Sequence, residues 1–208
     1  FNVSTNIIRD RDVKLNYIVT KNAADNFNLV AANYNHNNKF QAIIGSYGTG
    51  KSSFLWALEQ NLLGKQTIFN SVTETYPGIQ SFEFIKIIGE YKPLSVALGN
   101  TLKIEFTEDQ VEDQVLEKLE KIITKNSKKK IVTVLSFDEF GKFLEYAVKN
   151  NPDKEVYFIQ RLAEFFNDAK KLALSILSLH QNFSSYGQNL TSEQFKEWEK
   201  VKGRLKEV

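Results

Sequence analysis

The sequence predicts an α/β fold, a doubly wound and mostly parallel sheet of about five core strands with helices on both faces. Two observations lead to this prediction. The segments 131–137 and 172–179 are almost uninterrupted apolar runs, which are typical of strands buried on both faces of a parallel sheet. Helix-period segments separate such runs, and strands alternating with helices favour a parallel sheet that binds its ligand at the carboxyl ends of the strands.

The remaining elements are predicted from local patterns of β-forming residues, apolar period and turn residues. The predicted strands are 40–44, 66–72, 131–137 and 172–179, with a further small strand at 102–106. The predicted helices include 51–63, 140–150 and 154–170, and one or two short helices in 76–106. Capping-box patterns predict two more helix starts, at Thr107 with Gln110 and at Thr191 with Gln194.

Composition excludes several kinds of site. The chain has 208 residues, enough for one α/β domain. Its formal net charge of +2 is much less positive than that of a dedicated nucleic-acid binder. It lacks cysteine, which excludes disulfides and thiolate metal sites, and its two histidines, His36 and His180, make a histidine zinc site unexpected. No apolar run is long enough to span a membrane, and a cytoplasmic location is the default expectation.

The chain starts at Phe1 and contains no methionine, which indicates a fragment of a longer protein. We therefore expect residues 1–208 to form a single domain of that protein.

The segment Gly45-Ser46-Tyr47-Gly48-Thr49-Gly50-Lys51-Ser52 fits the pattern G-x-x-x-x-G-K-[ST] between a predicted strand and a predicted helix. Its glycines allow backbone N–H groups to turn inward toward a phosphate chain, and the following helix N-terminus favours the same anion. We expect residues 45–53, Ser53 included, to bind a nucleotide. Lys51 would reach the β- and γ-phosphates, and the Ser52 hydroxyl would bind Mg²⁺.

Asp138 and Glu139 follow the apolar strand 131–137, in the arrangement of a Walker B motif. Asp138 would hold Mg²⁺ through water, and Glu139 would orient and deprotonate the attacking water. The pair predicts ATP hydrolysis and argues against a GTPase. The sequence lacks an LSGGQ-like signature, and Phe140-Gly141 after the pair excludes a DEAD or DEAH helicase signature.

The strand 172–179 is followed by His180 and Gln181. A polar side chain at this strand end would lie between the two motifs and reach the γ-phosphate or the attacking water. Either residue is a candidate, and the alternative is an ordinary polar residue in a loop.

These motifs resemble those of the AAA+ and related ATPases, which have an added strand between the two Walker strands. The resemblance implies that His180-Gln181 is sensor 1 and that Tyr17-Ile18 lies against adenine. It also implies that Gly203-Arg204-Leu205 carries an arginine finger, so that Arg204 would act in a neighbouring subunit of a homo-oligomer or larger complex. The resemblance also implies a helical lid, which we expect to lie outside residues 1–208. The pattern also resembles the N-terminal ATPase module of large prokaryotic ATPases, some linked to defence against foreign DNA.

The sequence thus favours Mg²⁺-dependent ATP binding and hydrolysis in the motor core of an AAA+-like protein. Two alternatives stay open. One is a slow-turnover nucleotide switch of the STAND type. The other is a DNA-associated module that uses the lysines at 128–130, a run that otherwise indicates a solvated turn after a helix.

Overall fold

The computed structural model describes residues 5–10, 13, 16–107 and 109–208. Within these ranges the strands are β1 (Phe40–Ile44), β2 (Ser81–Ile88), β3 (Ile131–Asp138), β4 (Ala173–Leu179) and β5 (Lys206–Glu207). The helices are α1 (Lys21–Asn35), α2 (Lys51–Leu62), α3 (Val72–Thr75), α4 (Leu94–Thr101), α5 (Val111–Ser127), α6 (Gly141–Asn150), α7 (Pro152–Asn167), α8 (Phe183–Tyr186) and α9 (Ser192–Lys202).

The described strands form one five-stranded sheet in the order β2-β3-β4-β1-β5, and every neighbouring pair is parallel. Strand β4 therefore lies between β1 and β3, which carry the two motifs. Because parallel strands end at the same edge of a sheet, the residues that follow β1, β3 and β4 meet there.

The sheet is covered on both faces, which confirms the predicted fold class. In β3, Val132 and Val134 join a cluster with α1 and α2, whereas Leu135 and Phe137 join the cluster with α4 to α7 and α9. Side chains of opposite parity point to opposite faces of a strand, so both faces of β3 are apolar. The apolar run at 131–137 is uninterrupted because both faces of β3 are covered by helices.

The predicted strand at 66–72 is wrong. The Asn61 side chain accepts the backbone N–H groups of Ile68 and Phe69, each at 2.8 Å, so this segment bonds to a side chain rather than to a neighbouring strand. Phe69 instead stacks on Phe27 of α1, with ring centroids 4.7 Å apart. Its β-forming residues thus pack against α1 instead of pairing as a strand.

The segment 81–88 is a strand that the sequence did not predict. It pairs with β3 along its whole length, from Ser81 opposite Ile131 to Ile88 opposite Asp138. The predicted small strand at 102–106 is also wrong, because Leu102 ends α4 and Lys103 has a positive φ of 53°. The short helix expected within 76–106 is present as α4.

The two predicted capping boxes differ in outcome. Thr191 and Gln194 form one at the start of α9, as predicted. Thr107 forms none, since its backbone carbonyl, not its side chain, accepts the N–H groups of Gln110 and Val111. The lysines at 128–130 lie exposed in the turn after α5, as the solvated-turn interpretation requires.

No described helix is both long enough and apolar enough to cross a lipid bilayer.

Candidate functional site

The loop 45–50 connects β1 to α2 at the carboxyl edge of the sheet. Gly48 and Gly50 have φ values of 78° and 88°, a left-handed conformation that side chains with a Cβ rarely adopt. Open space lies where a Cβ would stand at either glycine. Helix α2 begins after Gly50, which has no side chain to cap the first N–H groups of the helix. The loop thus has a backbone conformation suited to an anion cradle.

Lys51 is folded back on its own loop. Its Nζ donates to the carbonyl oxygens of Gly45 and Ser46 at 2.6 and 2.9 Å. Burial lowers the pKa of Lys51, while the nearby carboxylates of Asp138 and Glu139 act in the opposite direction. The neighbouring Ser52 hydroxyl makes no hydrogen bond to the residues that the structure describes. Both side chains predicted to bind phosphate and metal therefore have only local partners or none.

Asp138 ends β3 as a buried carboxylate, 6% exposed. Its Oδ1 accepts the Ser178 hydroxyl at 2.8 Å and the Glu139 backbone N–H at 3.1 Å. That N–H also donates to Ser178 Oγ at 2.8 Å. Ser178 lies near the end of β4, next to β3, and holds Asp138 in one orientation toward the loop.

Glu139 has a φ of 56°, unusual for a residue with a side chain and typical of sites where the surrounding structure imposes the turn. Gly89, just after β2, makes that turn possible, because a Cβ there would come within 1.9 Å of the Glu139 carbonyl oxygen. The Glu139 carboxylate is about half exposed and forms an ion pair with Lys142, three residues on. The turn therefore directs Glu139 away from the sheet and toward the cleft.

A cleft of about 310 Å³ brings these groups together, and we call it the β3-side cleft. The loop and the first turn of α2 line one side, with Tyr47, Lys51, Ser52 and Ser53. Asp138, Glu139, Lys142, Ser178 and His180 line the other. Thr5 closes it, joined to Ser53 by a hydrogen bond of 2.8 Å between hydroxyl oxygens. Both predicted motifs thus face the same space.

His180, not Gln181, lies in this cleft. The imidazole stacks on Tyr47, with centroids 4.9 Å apart, and its Nδ1 shares a hydrogen bond of 2.9 Å with the Tyr186 hydroxyl. Gly141 leaves room for that hydroxyl, which would stand 2.3 Å from a Cβ at this position. Gln181 is exposed and outside the cleft lining. The geometry favours His180 of the two predicted candidates.

A second cleft of about 360 Å³ lies on the other side of the loop, and we call it the α1-side cleft. Tyr17 and Ile18 line it together with Gly50, Lys51 and Ser53, which also line the β3-side cleft. Burial raises the pKa of Tyr17, and Ile18 is 80% exposed. The predicted base-contacting pair therefore lies beside the loop, at the end of the site away from Asp138.

Arg204 lies outside both clefts. It precedes β5, whose Lys206 is aligned with Gln41 of β1, so it stands at the amino-terminal end of the sheet. Its guanidinium contacts Glu164 at 2.7 Å and donates to the Lys200 carbonyl oxygen at 2.7 Å. Within the described residues the predicted arginine finger thus contacts its own chain.

Sequence reasoning missed four residues of the site: Gly89, Lys142, Ser178 and Tyr186. One signal was available for Ser178, a serine inside the apolar run Ala173–Leu179 next to the predicted magnesium strand. Gly89 and Tyr186 act through tertiary contacts, for which a single sequence offers no local pattern, whereas Lys142 forms a local ion pair with Glu139, three residues earlier.

The oxygen atoms that line the cleft suit magnesium, which takes most of its ligands from water and phosphate. They suit a metal whose ligands all come from the protein less well. No group of three or more His, Cys, Asp or Glu side chains suited to a metal occurs among the described residues. One buried carboxylate and one unpartnered hydroxyl, Asp138 and Ser52, face the same cleft. Magnesium is commonly held by one or two protein oxygens, with water and substrate phosphates supplying the rest.

No family model and no curated protein sequence matches the chain. Among solved structures it is similar to PCH-2 of C. elegans, with 12% identity and a TM-score of 0.51 over 92% of this chain and 44% of that one. It is also similar to ORC2 of Aeropyrum pernix, solved as ADPNP-ADP complexes, with 14% identity and a TM-score of 0.58 over 95% and 50% of the two chains. A third similar structure is Drosophila ORC bound to DNA, with 17% identity and a TM-score of 0.52 over 98% and 52%.

The chain spans about half the length of these solved chains. The three proteins are AAA+ ATPases, and likeness at this low identity establishes the fold. The chain accordingly has the α/β fold of P-loop NTPases. The suggested relation to prokaryotic, defence-linked ATPases stays a prediction.

Proposed function

We propose that this chain binds ATP with Mg²⁺ and hydrolyses its β–γ phosphoanhydride bond. One observation carries the proposal: the left-handed glycine loop, with Lys51 and Ser52, faces Asp138 and Glu139 across one cleft. A cradle of backbone N–H groups, a lysine, a hydroxyl and two carboxylates is the set of groups that phosphoryl transfer to water requires.

The arrangement of the two clefts supports one orientation of the nucleotide along the loop. They share Gly50, Lys51 and Ser53, so a triphosphate that follows the loop runs from one cleft into the other. The base would lie in the α1-side cleft, against Tyr17 and Ile18, and the terminal phosphate would lie in the β3-side cleft. The ADPNP-ADP complexes of the similar ORC2 structure support a nucleotide ligand for this fold.

Ser52 and Asp138 would hold Mg²⁺ between them, and a bound Mg²⁺ would neutralise charge on the phosphate oxygens. The Ser178 hydroxyl keeps Asp138 oriented for this role. Lys51 would exchange its loop carbonyl partners for phosphate oxygens, which are stronger partners for an ammonium group than neutral carbonyls.

Glu139 would act as the general base, orienting a water molecule and taking its proton as that water attacks the γ-phosphorus. The loop N–H groups and Lys51 would stabilise the charge that develops on the phosphoryl oxygens. His180, held by Tyr47 and Tyr186, would contact the γ-phosphate or the water. Catalysis would depend on positioning and electrostatics, with no covalent intermediate on the protein.

The chain would serve as the ATPase core of a larger AAA+-like protein, with 1–208 as its single P-loop domain. Arg204 lies at the opposite end of the sheet from the loop. It would therefore act in a neighbouring subunit, after release from Glu164. The DNA named for the Drosophila ORC structure gives the weaker proposal of a DNA-associated assembly its only support.

A second candidate function is a nucleotide switch with slow turnover. The ion pair between Glu139 and Lys142 favours it, because a carboxylate engaged by an ammonium group is not free to orient a water molecule. Tightly bound nucleotide in the purified protein, without steady-state phosphate release, would favour the switch over the motor.

Two substitutions test the main proposal. Lys51→Ala should abolish ATP binding in calorimetry, and Glu139→Gln should keep binding and lose phosphate release. Lys149→Ala on α6 and Glu197→Gln on α9 remove the same groups at exposed sites outside both clefts and serve as controls. Turnover in Glu139→Gln equal to that of the parent protein would remove Glu139 from the mechanism. A folded parent protein that binds neither ATP nor GTP would refute nucleotide binding altogether.

A further inference from the structure

Lys142 is a second lysine in the β3-side cleft, and neither sequence motif includes it. It lies in the first turn of α6 and faces the cleft from the side opposite Lys51. Its side chain is 47% exposed, so it has room to move without disturbing the core. The Glu139 carboxylate is its ion-pair partner in this structure and raises the pKa of Lys142, which keeps the amine charged.

The charges that line the cleft are balanced without a ligand. Two lysines, Lys51 and Lys142, oppose the two carboxylates Asp138 and Glu139. Both lysines contact groups of the chain itself, Lys51 the loop carbonyls and Lys142 the carboxylate. A polyphosphate that enters the cleft would offer both of them a doubly charged partner, which is stronger than either present one.

The position of Lys142 in its helix is unfavourable for the helix alone. The N-terminus of a helix carries a partial positive charge and favours acidic side chains in its first turn. Helices α5, α7 and α9 follow this rule, whereas the first turns of α1, α4 and α6 have no acidic residue, and that of α6 contains Lys142. The N-terminus of α2, where Lys51 stands, is similar and faces the same cleft. Two positive helix ends with lysines thus converge on one space.

The order of groups along the site identifies which phosphate Lys142 would meet. The α1-side cleft, with Tyr17 and Ile18, is the end that would take the base. Lys142 lines the β3-side cleft beside Glu139 and is not among the residues that the two clefts share. A diphosphate that fills the loop would stop short of Lys142, whereas a triphosphate would reach it.

We propose that Lys142 is a γ-phosphate ligand supplied by the same chain, which binds Glu139 when the γ-phosphate is absent and leaves it for the γ-phosphate when ATP is bound. This inference rests on the proposed function. It makes Lys142 the residue that distinguishes ATP from ADP, and it frees Glu139 to act as a base only when there is a γ-phosphate to attack.

The test compares affinities for two nucleotides in the presence of Mg²⁺, ADP and the inert β,γ-imido analogue of ATP, by isothermal titration calorimetry on the full chain. Lys142→Met should weaken binding of the analogue about tenfold or more, the range for a lost charge-assisted hydrogen bond, and change ADP affinity less than about twofold. Lys142→Arg should retain the preference for the analogue. Lys149→Met, which removes an exposed charge from the last turn of the same helix, should change neither affinity.

Retained ADP binding shows that Lys142→Met is folded, so a selective loss is not a folding defect. An unchanged ratio of the two affinities in Lys142→Met would overturn the inference, and so would an equal loss for both nucleotides. If the parent protein binds neither nucleotide, the proposed function fails first, and the inference fails with it. The two failures are distinct, because only the failure of the proposed function leaves the titration of the parent protein flat.

Discussion

At the amino-terminal end of the sheet the polar groups of the chain bind one another, whereas at the carboxyl end several of them face an open cleft. Asn167 illustrates the first end: its side chain accepts the N–H groups of Lys39 and Phe40 at 2.7 and 3.0 Å and donates to the Arg204 carbonyl at 2.8 Å. The nearly buried Lys39 donates to two backbone carbonyls, those of Asp168 and Lys171, at 2.9 and 2.7 Å.

Lys51 at the other end makes a similar pair of bonds to carbonyls, but in a loop that opens to solvent. The hydroxyl of the neighbouring Ser52 has no hydrogen-bond partner in the part of the chain that the structure describes. The two ends therefore contain similar groups in different states. Where a buried polar group is hydrogen-bonded within the fold, as Asn167 is, removing it costs stability. Where groups converge on a cleft with only local partners, removing one is expected to cost ligand affinity. Four substitutions test whether the two ends of the sheet differ in this way.

The largest effect is expected for Gly89→Ala at the carboxyl end. The new Cβ would stand 1.9 Å from the Glu139 carbonyl oxygen, so the backbone would have to shift. We expect a loss of about 3 kcal/mol in the free energy of unfolding, the upper range for overpacking, and a loss of phosphate release because the Glu139 turn moves. Urea unfolding measures the first. Gly203→Ala is the control, since its nearest atoms lie 3.5 Å away, and equal stability of the two variants would contradict the packing argument.

Asn167→Ala should cost stability and leave the ligand site intact. It strands two N–H groups and one carbonyl at the amino-terminal end, which should lower the free energy of unfolding by about 2 kcal/mol. ATP affinity under folding conditions should stay within about twofold of the parent value. A variant that loses affinity but keeps its stability would break the distinction between the two ends.

Tyr17→Ala tests the base end of the site. We expect ATP affinity to fall about tenfold through lost contact with the base, which corresponds to 1.4 kcal/mol. Affinity for inorganic tripolyphosphate, which has no base, should be unchanged. Tyr157→Ala removes an exposed ring outside both clefts and should alter neither titration. Equal losses for ATP and tripolyphosphate would place Tyr17 elsewhere in the site.

Ser178→Ala should have the smallest effect. It removes the hydroxyl that orients Asp138, and we expect Mg²⁺-dependent ATP affinity to fall about fivefold, roughly 1 kcal/mol. Ser175→Ala is a matched control on the same strand, because the buried Ser175 hydroxyl has no hydrogen-bond partner among the described residues. That variant should be neutral or slightly stabilised. Matching losses in both would mean that a serine in β4 matters for packing and not for Asp138.

The predictability of the elements follows from how local their causes are. The glycine loop could be predicted from the sequence because φ angles of 78° and 88° demand glycine at fixed positions. Strand β2 could not be predicted in this way, because its residues alternate irregularly between exposed and buried and form a strand only by pairing with β3. The count of about five strands is confirmed, although the predicted strands at 66–72 and 102–106 are replaced by β2 and β5.

Residue types at short spacing were enough to predict the fold class, the two motifs and their order, from glycines suited to a left-handed turn and an apolar run that ends in Asp138 and Glu139. The resemblance to AAA+ ATPases predicted a strand between the two motif strands, and β4 occupies that place. Only the folded chain showed that Ser178 holds Asp138 and that His180 rather than Gln181 faces the cleft. The physical reason is distance along the chain. Strand order and side-chain direction are fixed by packing between segments far apart in sequence, and no local pattern encodes that packing.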